Sequence, residues 1–514
     1  MCAAKNFKPS SDIILRATRF LECMTERRKD YLTASDYYRF LQCPHWPYYD
    51  RFATDAEKQV RREISDAERT RQENGVLHEH EVVQKLFEGT EIDEVPQTRD
   101  PEADCAVTLE WMKRGVPLIY QGTLTFGEWT GRPDLLERRE GESALGNWYY
   151  VPVDVKSAHY LEKYHKVQLV FYATLLEKLQ GRFPAEPAII NGDGVRLPFM
   201  AEEMIADFQS ITEELERIRV GEKPDPVLRK SCFDTGVWGT LCKRDAEANN
   251  DIALLYNVDV QKLRMLRSLG VRTVADAAGM DPQALDGAAK GLRLHGLEVM
   301  KRQAQSLQTK EVVVREIVPV PTKGLEIHFD IESDPPNDVD YLYGLLIRKP
   351  EGDEYVSFVA ERLEDEGILW KKFLAWLETL PPEYTVYHFA SYEMTRLAVL
   401  EARYGGSQWL DLFRSSMVDL KELTTHAITF PLYFYGLKYI AKFLGFFWRS
   451  EVQGGGQSVD VFEKYLETRD RALLDSIILY NEDDVRATAL LKDWLARYAQ
   501  EVTSYDEPYP WVQR

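Results

Sequence analysis

The sequence has little cysteine and no surplus of basic charge. Six cysteines in 514 residues are too few for a disulfide framework. The opening stretch MCAAKNFKPSSDIILRATRF lacks the long apolar core and small-residue cleavage site of a secretory signal. A reducing cytoplasm is the expected compartment, and there cysteines that gather in space raise the question of metal. No apolar run approaches the ~20 residues of a membrane span. The chain has no internal repeat and no low-complexity tract. It also has no G-x-x-x-x-G-K-[ST] phosphate loop, so any ATP-driven unwinding has to come from a separate protein. The formal net charge is −20, which removes bulk charge as an argument for nucleic-acid binding. It does not remove a nuclease, because metal-binding carboxylates are themselves acidic and a local basic groove can persist on an acidic protein.

What is present is ample core material. Hydrophobic residues make up 44% and aromatics 12%, and at roughly 100–200 residues per domain the length accommodates two to four domains. The pattern divides into three regions. Residues 1–245 mix helices with a β-hairpin. Residues 246–317 read as a small helical connector. Within it LRSLGVRTVADAA resembles half of a helix-hairpin-helix unit, although a Gly-containing turn between helices is common. VPVPTKG (Val318 to Gly324) reads as a linker, and the region 318–514 continues from it with LEIHFDIESD. The expected class is α/β multidomain.

In VPVDVKSA, Val151, Val153 and Val155 alternate with Pro152, Asp154 and Lys156. A strand sends alternate residues to opposite faces, so Asp154 and Lys156 share one. GRPDLLERR places Asp134 on a neighbouring strand, and EGESALGN supplies the turn of a hairpin. Two carboxylates held close repel each other unless a cation sits between them. Mg²⁺ takes oxygen ligands and can activate water. D-x-K alone is a weak motif, equally read as a solvated hairpin. Two helices add to it. LEKYHKVQLVFYATLLEKLQ is amphipathic and puts Gln168 and Tyr172 on one face, and NGVLHEHEVVQKLF carries His78.

In order and spacing this set resembles the RecB-like branch of the PD-(D/E)XK nucleases, with a restriction-endonuclease-like fold. The resemblance implies that His78, Asp134, Asp154 and the Val155 carbonyl surround Mg²⁺ or Mn²⁺. It implies that Lys156 assists catalysis and that Gln168 and Tyr172 pack on the site and face the nucleic acid. Single-stranded DNA or DNA ends are the implied substrate, and a helicase an implied partner. Several such nucleases hold a [4Fe–4S] cluster on four cysteines. Cys43, Cys232 and Cys242 match three of those positions, while Thr235, beside Asp234, occupies the fourth. Three thiolates could hold the cluster with a carboxylate, His45 or water. Equally, the cluster is lost and the thiols are simply buried, as free Cys often is. Cys2, Cys23 and Cys105 match no part of the pattern.

LEIHFDIESD repeats the strand logic. Ile327, Phe329 and Ile331 face one way, and His328, Asp330 and Glu332 the other. Two acids on an apolar-backed strand are costly to bury without a cation. YLYGLLI and EYVSFVA extend a meander, followed by a helix over about 362–379. TVYHFASYEMTRLAVLEARY then reads as strand, turn and a helix carrying Glu393. The long helix DRALLDSIILYNEDDVRATALLKDWLARY puts Tyr480 and Asp484 on one face, with Glu482 and Asp483 read as a solvated face.

Together with FYGLKYIAKFLG, this set resembles the DEDD exonucleases of the RNase H-like fold, in particular the YprB-type domain. The resemblance implies two Mg²⁺ or Mn²⁺ ions on Asp330, Glu332, Glu393 and Asp484, clamping the scissile phosphate. Glu393 stands where many relatives have Asp, and Tyr480 would orient the attacking water. The expectation is a metal-dependent nuclease with two active sites, acting on DNA in repair, recombination or CRISPR/defence-type processing. The alternative is a half-catalytic or non-catalytic nucleic-acid-binding adaptor for a helicase or nuclease complex.

Overall fold

The computed structural model describes residues 31–64, 69, 79, 82–85, 93–98, 100–156, 161–192, 194–233, 236–316, 319–452, 454–501 and 508–509. The chain divides into two compact units, Met1–Asp245 and Ala246–Arg514. Among the described residues no helix is long and apolar enough to cross a membrane.

The first unit contains strands β1 (Asp93–Glu94), β2 (Leu118–Tyr120), β3 (Leu124–Phe126), β4 (Trp129–Gly131), β5 (Leu135–Ser143), β6 (Gly146–Val155), β7 (Ala188–Ile190) and β8 (Arg196–Pro198). Six of them form one sheet in the order β1-β2-β5-β6-β7-β8. The expected hairpin is β5–β6, antiparallel with Leu135 opposite Val153. β7 runs parallel to β6, a connection that needs a crossover, and the helix Lys163–Gln180 supplies it. That helix buries Val167, Val170, Phe171 and Leu175 in one core with Leu136, Tyr150 and Tyr37. Val153 and Val155 pack with Leu118, Leu135 and Ile190 in a second. Both faces of β6 are therefore covered, and its acid is buried with them.

In the second unit, helices Val260–Ser268, Val274–Gly279 and Leu294–Thr309 precede the sheet. Gly270 makes the turn between the first two at φ +87, with nothing near a would-be Cβ, which is the left-handed conformation glycine accepts freely. Strand β9 (Val312–Val314) is followed by β10 (Leu325–Asp334), β11 (Val339–Arg348), β12 (Glu354–Val359), β13 (Tyr384–His388) and β14 (Met417–Asp419). The last five form a sheet ordered β12-β11-β10-β13-β14. β10, β11 and β12 are the expected antiparallel meander, whereas β13 and β14 run parallel to β10 and to each other. The helix after β12 spans Glu366–Leu377, shorter than expected, because residues 363–365 close as a 3₁₀ turn. Ile327, Phe329 and Ile331 enter a core with Trp370, Phe373 and Phe413. The long helix Arg471–Glu501 packs on β10 and β11 and brings its residues to the other face of β10.

Candidate functional site

Asp330 and Glu332 point from β10 toward the long helix, which contributes Asp484. One carboxylate oxygen from each of the three lies within 4.8 Å of the others. Glu332 and Asp484 are buried and Asp330 is half-buried. Burial, then the neighbouring Asp484, pushes the Glu332 carboxyl up to about 8. Burial raises Asp484 to about 6, although Lys438 and Trp448 act to lower it. Asp330 stands well above the usual range through burial, then repulsion from Glu332, Asp484 and Glu393. Without a cation the three acids cannot comfortably ionise together. Their oxygens are the donors that a hard divalent ion takes. Glu393, on the helix Tyr392–Tyr404, reaches the cluster: it is buried, hydrogen-bonds Asp330 and has its Oε2 3.4 Å from His388 Nδ1. The extra methylene relative to Asp does not keep it away.

Residues that carry no sequence signature hold these acids in place. Asn481 Nδ2 donates to Asp330 Oδ2 at 2.7 Å, and Tyr355 Oη donates to Asn481 Oδ1 at 2.9 Å. Trp448 Nε1 donates to Asp484 Oδ1 at 2.6 Å. Ser458 hydrogen-bonds Glu332 and Tyr341. Tyr480 is buried, bonds Asp484 through its hydroxyl, and has Lys438 Nζ 4.4 Å from its ring centroid. Asp483 corrects the reading of a solvated face. It is fully buried and accepts from Arg449 N and Nε, both at 2.7 Å, and from Ser450 N at 3.1 Å. Glu482 pairs with Arg486 and Arg449. Successive helix residues point about 100° apart, so Asp483 anchors the 448–450 segment while Asp484 faces the centre.

In the first unit Asp134 sits immediately before β5 and Asp154 near the end of β6. The two acids are laced together through the backbone. Asp134 N donates to Asp154 Oδ1 at 3.2 Å and Val155 N to Asp134 Oδ2 at 2.7 Å. Lys156 Nζ stands 3.5 Å from Asp134 Oδ2 and 3.2 Å from Asp154 Oδ2. A third acid, Glu79, joins through Gln121, whose Nε2 donates to Glu79 Oε1 at 2.6 Å and reaches Asp134 Oδ1 at 3.5 Å. Burial raises Glu79 against the pull of Lys156. Burial, then Asp154 and Glu79, lifts Asp134 well above the usual range despite Lys156. Burial opposes charge on Lys156 too, but Asp134 and Asp154 outweigh it and hold the ammonium protonated. Three carboxylates thus face one ammonium.

On the crossover helix Gln168 Nε2 donates to Tyr172 Oη at 3.1 Å. Gly131 leaves room for that ring, since a Cβ there would lie 2.7 Å from Tyr172 Cε1. His78 lies outside the described residues. Glu79 carries no signature of its own in the sequence, where the only hint is its place next to His78 in NGVLHEHEVVQKLF.

Cys43, Cys232 and Cys242 come together from sequence-distant elements, all buried, with their Sγ atoms within 4.8 Å of one another. Cys43 and Cys242 are 3.2 Å apart. Hydrogen bonds from Cys242 and Cys43 hold Cys232 down to about 3, and Cys43 is pushed up by Cys232. This is a soft, three-sulfur donor set that fits three of the four ligands an iron–sulfur cluster takes. His45 Nε2 pairs with Pro224 O at 2.9 Å, which leaves Nδ1 as the ring nitrogen with a lone pair. Thr235 and Asp234 lie outside the described residues.

No curated protein matches the chain. Residues 327–496, from β10 through most of the last helix, match the family RNase_H_2 of the RNase_H superfamily, so this stretch is RNase H-like and points to a nuclease-type activity.

Proposed function

We propose that the protein is a divalent-metal-dependent nuclease whose second unit trims nucleic-acid ends and whose first unit carries a second site. The observation that carries this is the convergence of Asp330, Glu332 and Asp484 on one buried point, with Glu393 hydrogen-bonded to Asp330. Mg²⁺ or Mn²⁺ bound there would supply charge for the scissile phosphate and for an attacking water. Asp330, Glu332, Glu393 and Asp484 would hold the metal. Asn481 orients Asp330 by donating to its Oδ2, and Trp448 orients Asp484 by donating to its Oδ1. The Tyr480 hydroxyl, bonded to Asp484, would orient the attacking water. Chelation should abolish shortening of end-labelled single strands, Mg²⁺ or Mn²⁺ should restore it, and Asp330→Asn should prevent that restoration. Hydrolysis that persists in chelator would defeat the reading.

The first unit is read as a RecB-like PD-(D/E)XK site. The hairpin, its two acids, Lys156 and the Gln168/Tyr172 helix support it. Asp134, Asp154, the Val155 carbonyl and His78 would be the ligands, with Glu79 added by its place beside Asp134. Lys156, held charged, would face the scissile phosphate. The sulfur triad is read as the seat of a [4Fe–4S] cluster with three protein thiolates. DNA, single-stranded or at ends, is the proposed substrate, and a separate helicase the proposed partner. A half-catalytic adaptor is the second reading. Lys156 favours it, because it pairs with both acids of the first site and so partly balances their charge without metal.

A further inference from the structure

Residues 423–450 contain no Asp or Glu, in a chain that carries 84 of them among 514 residues. The stretch is instead crowded with aromatics and holds Lys438, Lys442 and Arg449. It runs directly into the acidic centre of the second unit. Lys438 lies over the Tyr480 ring, and Trp448 bonds Asp484. Between them Phe447 is 81% exposed, while its neighbour Phe446 stands edge-on to Trp448 at 4.8 Å. Lys442 is exposed and forms no ion pair among the described residues. Arg449 contributes less positive charge, because Asp483 and Glu482 neutralise it.

A single exposed aromatic on a protein surface needs no explanation. Here two further facts attach to it: its place in a run of sequence without acids that carries Lys438 and Lys442 in an otherwise acidic chain, and direct chain continuity with a residue that holds a candidate metal ligand. A polyanion is complementary to the first. An exposed ring beside a phosphate-cleaving centre suits a base whose face is open, and only an unpaired strand offers such a face.

We infer that this acid-free stretch is the track on which a single strand of nucleic acid reaches the acidic centre, with Phe447 stacked on one base and Lys438 and Lys442 facing the phosphates. The inference rests on the nuclease reading of that centre and names its substrate form. Binding can nevertheless be tested apart from cleavage. The assay is fluorescence anisotropy of the full chain in chelator, with a short labelled oligothymidylate and a duplex of the same length as probes. Phe447→Ala should weaken single-strand binding about 5- to 150-fold, the worth of one stacked base, and Phe447→Trp should preserve it. Lys442→Ala should flatten the slope of log K against log salt by about 0.7. Ile368→Ala removes a side chain in another exposed position, 53% accessible, and should bind as wild type does. The inference is overturned if Phe447→Ala and Ile368→Ala bind alike, or if wild type prefers the duplex or binds neither probe. If no strand is hydrolysed with Mg²⁺ or Mn²⁺ while Phe447→Ala still loses single-strand binding, the nuclease reading falls and the track stands. If hydrolysis persists and Phe447→Ala binds normally, the track falls alone.

Discussion

Gly344 is a glycine because Asn481 occupies the space its side chain would need. It lies in β11 directly opposite Asp330. A Cβ there would overlap Asn481 Oδ1 outright and come within 2.7 Å of its Cγ and 2.9 Å of the Tyr355 hydroxyl. Asn481 is fully buried and fixed on Asp330, so it has nowhere to retreat without releasing that carboxylate. Gly344→Ala should therefore combine overpacking of about 1–3 kcal/mol with loss of a hydrogen bond to an acid, about 1.5–3 kcal/mol. The expected total is about 2.5–6 kcal/mol, read from urea denaturation of the metal-free protein. In an Asn481→Ala background the two closest atoms are gone and only the Tyr355 hydroxyl, the end of a side chain with space to shift into, stays near, so the same substitution should cost under about 1 kcal/mol. Independent sites add to within about 0.3–0.5 kcal/mol, so the coupling would be unmistakable. An equal effect of Gly344→Ala in both backgrounds would refute the steric argument and the positioning role of Asn481 with it.

Three other outcomes are expected. Trp448→Phe keeps the ring but removes the donor to Asp484, and should lower manganese affinity and kcat by about 10- to 100-fold, checked by titration calorimetry and single-turnover cleavage. At Glu326, burial opposes the carboxylate, but hydrogen bonds from His328 and Lys492 outweigh it and hold the group down to about 2. Because burial keeps His328 uncharged near neutrality, Lys492, at 2.5 Å, supplies the lasting charge. A depressed folded pKa stabilises fully above the unfolded value near 4.5 and loses that contribution as pH falls toward 2. The gap in urea midpoint between wild type and Glu326→Gln should stay constant from pH 8 to about 5 and narrow below, and a gap that widens on acidification would contradict it. Anaerobically purified protein should contain iron and sulfide with a visible chromophore, and Cys43→Ser, Cys232→Ser or Cys242→Ser should each bleach it.

The parts of the sites that repeat at a fixed spacing could be read from the sequence. Asp330 and Glu332 follow from two-residue alternation on β10, Tyr480 and Asp484 from one helical turn, and the β5–β6 hairpin from its turn residues. What could not be read depends on contacts between residues far apart in the chain. Asn481 matters because β11 passes beneath it, and the one trace of that was a glycine inside the otherwise bulky strand YLYGLLI, where a strand glycine signals close approach. Trp448, Ser458 and Lys438 reach the acids from loops and helix starts with no periodic signature. Asp483 was misread because one step along a helix changes the direction a side chain faces, and nothing in NEDDV says which of its acids a neighbouring segment covers.

On the function proposed here, two separate acidic centres would each hydrolyse nucleic acid with the help of a divalent ion. The most direct measurement compares product ladders from end-labelled single-stranded DNA and RNA in Mn²⁺ for wild type, Asp134→Asn, Asp330→Asn and the double variant. Each single variant should lose one set of products and keep the other, and the double variant should lose both. A double variant that still cleaves like wild type, or a wild type that cleaves neither strand with Mn²⁺ or Mg²⁺, would contradict it.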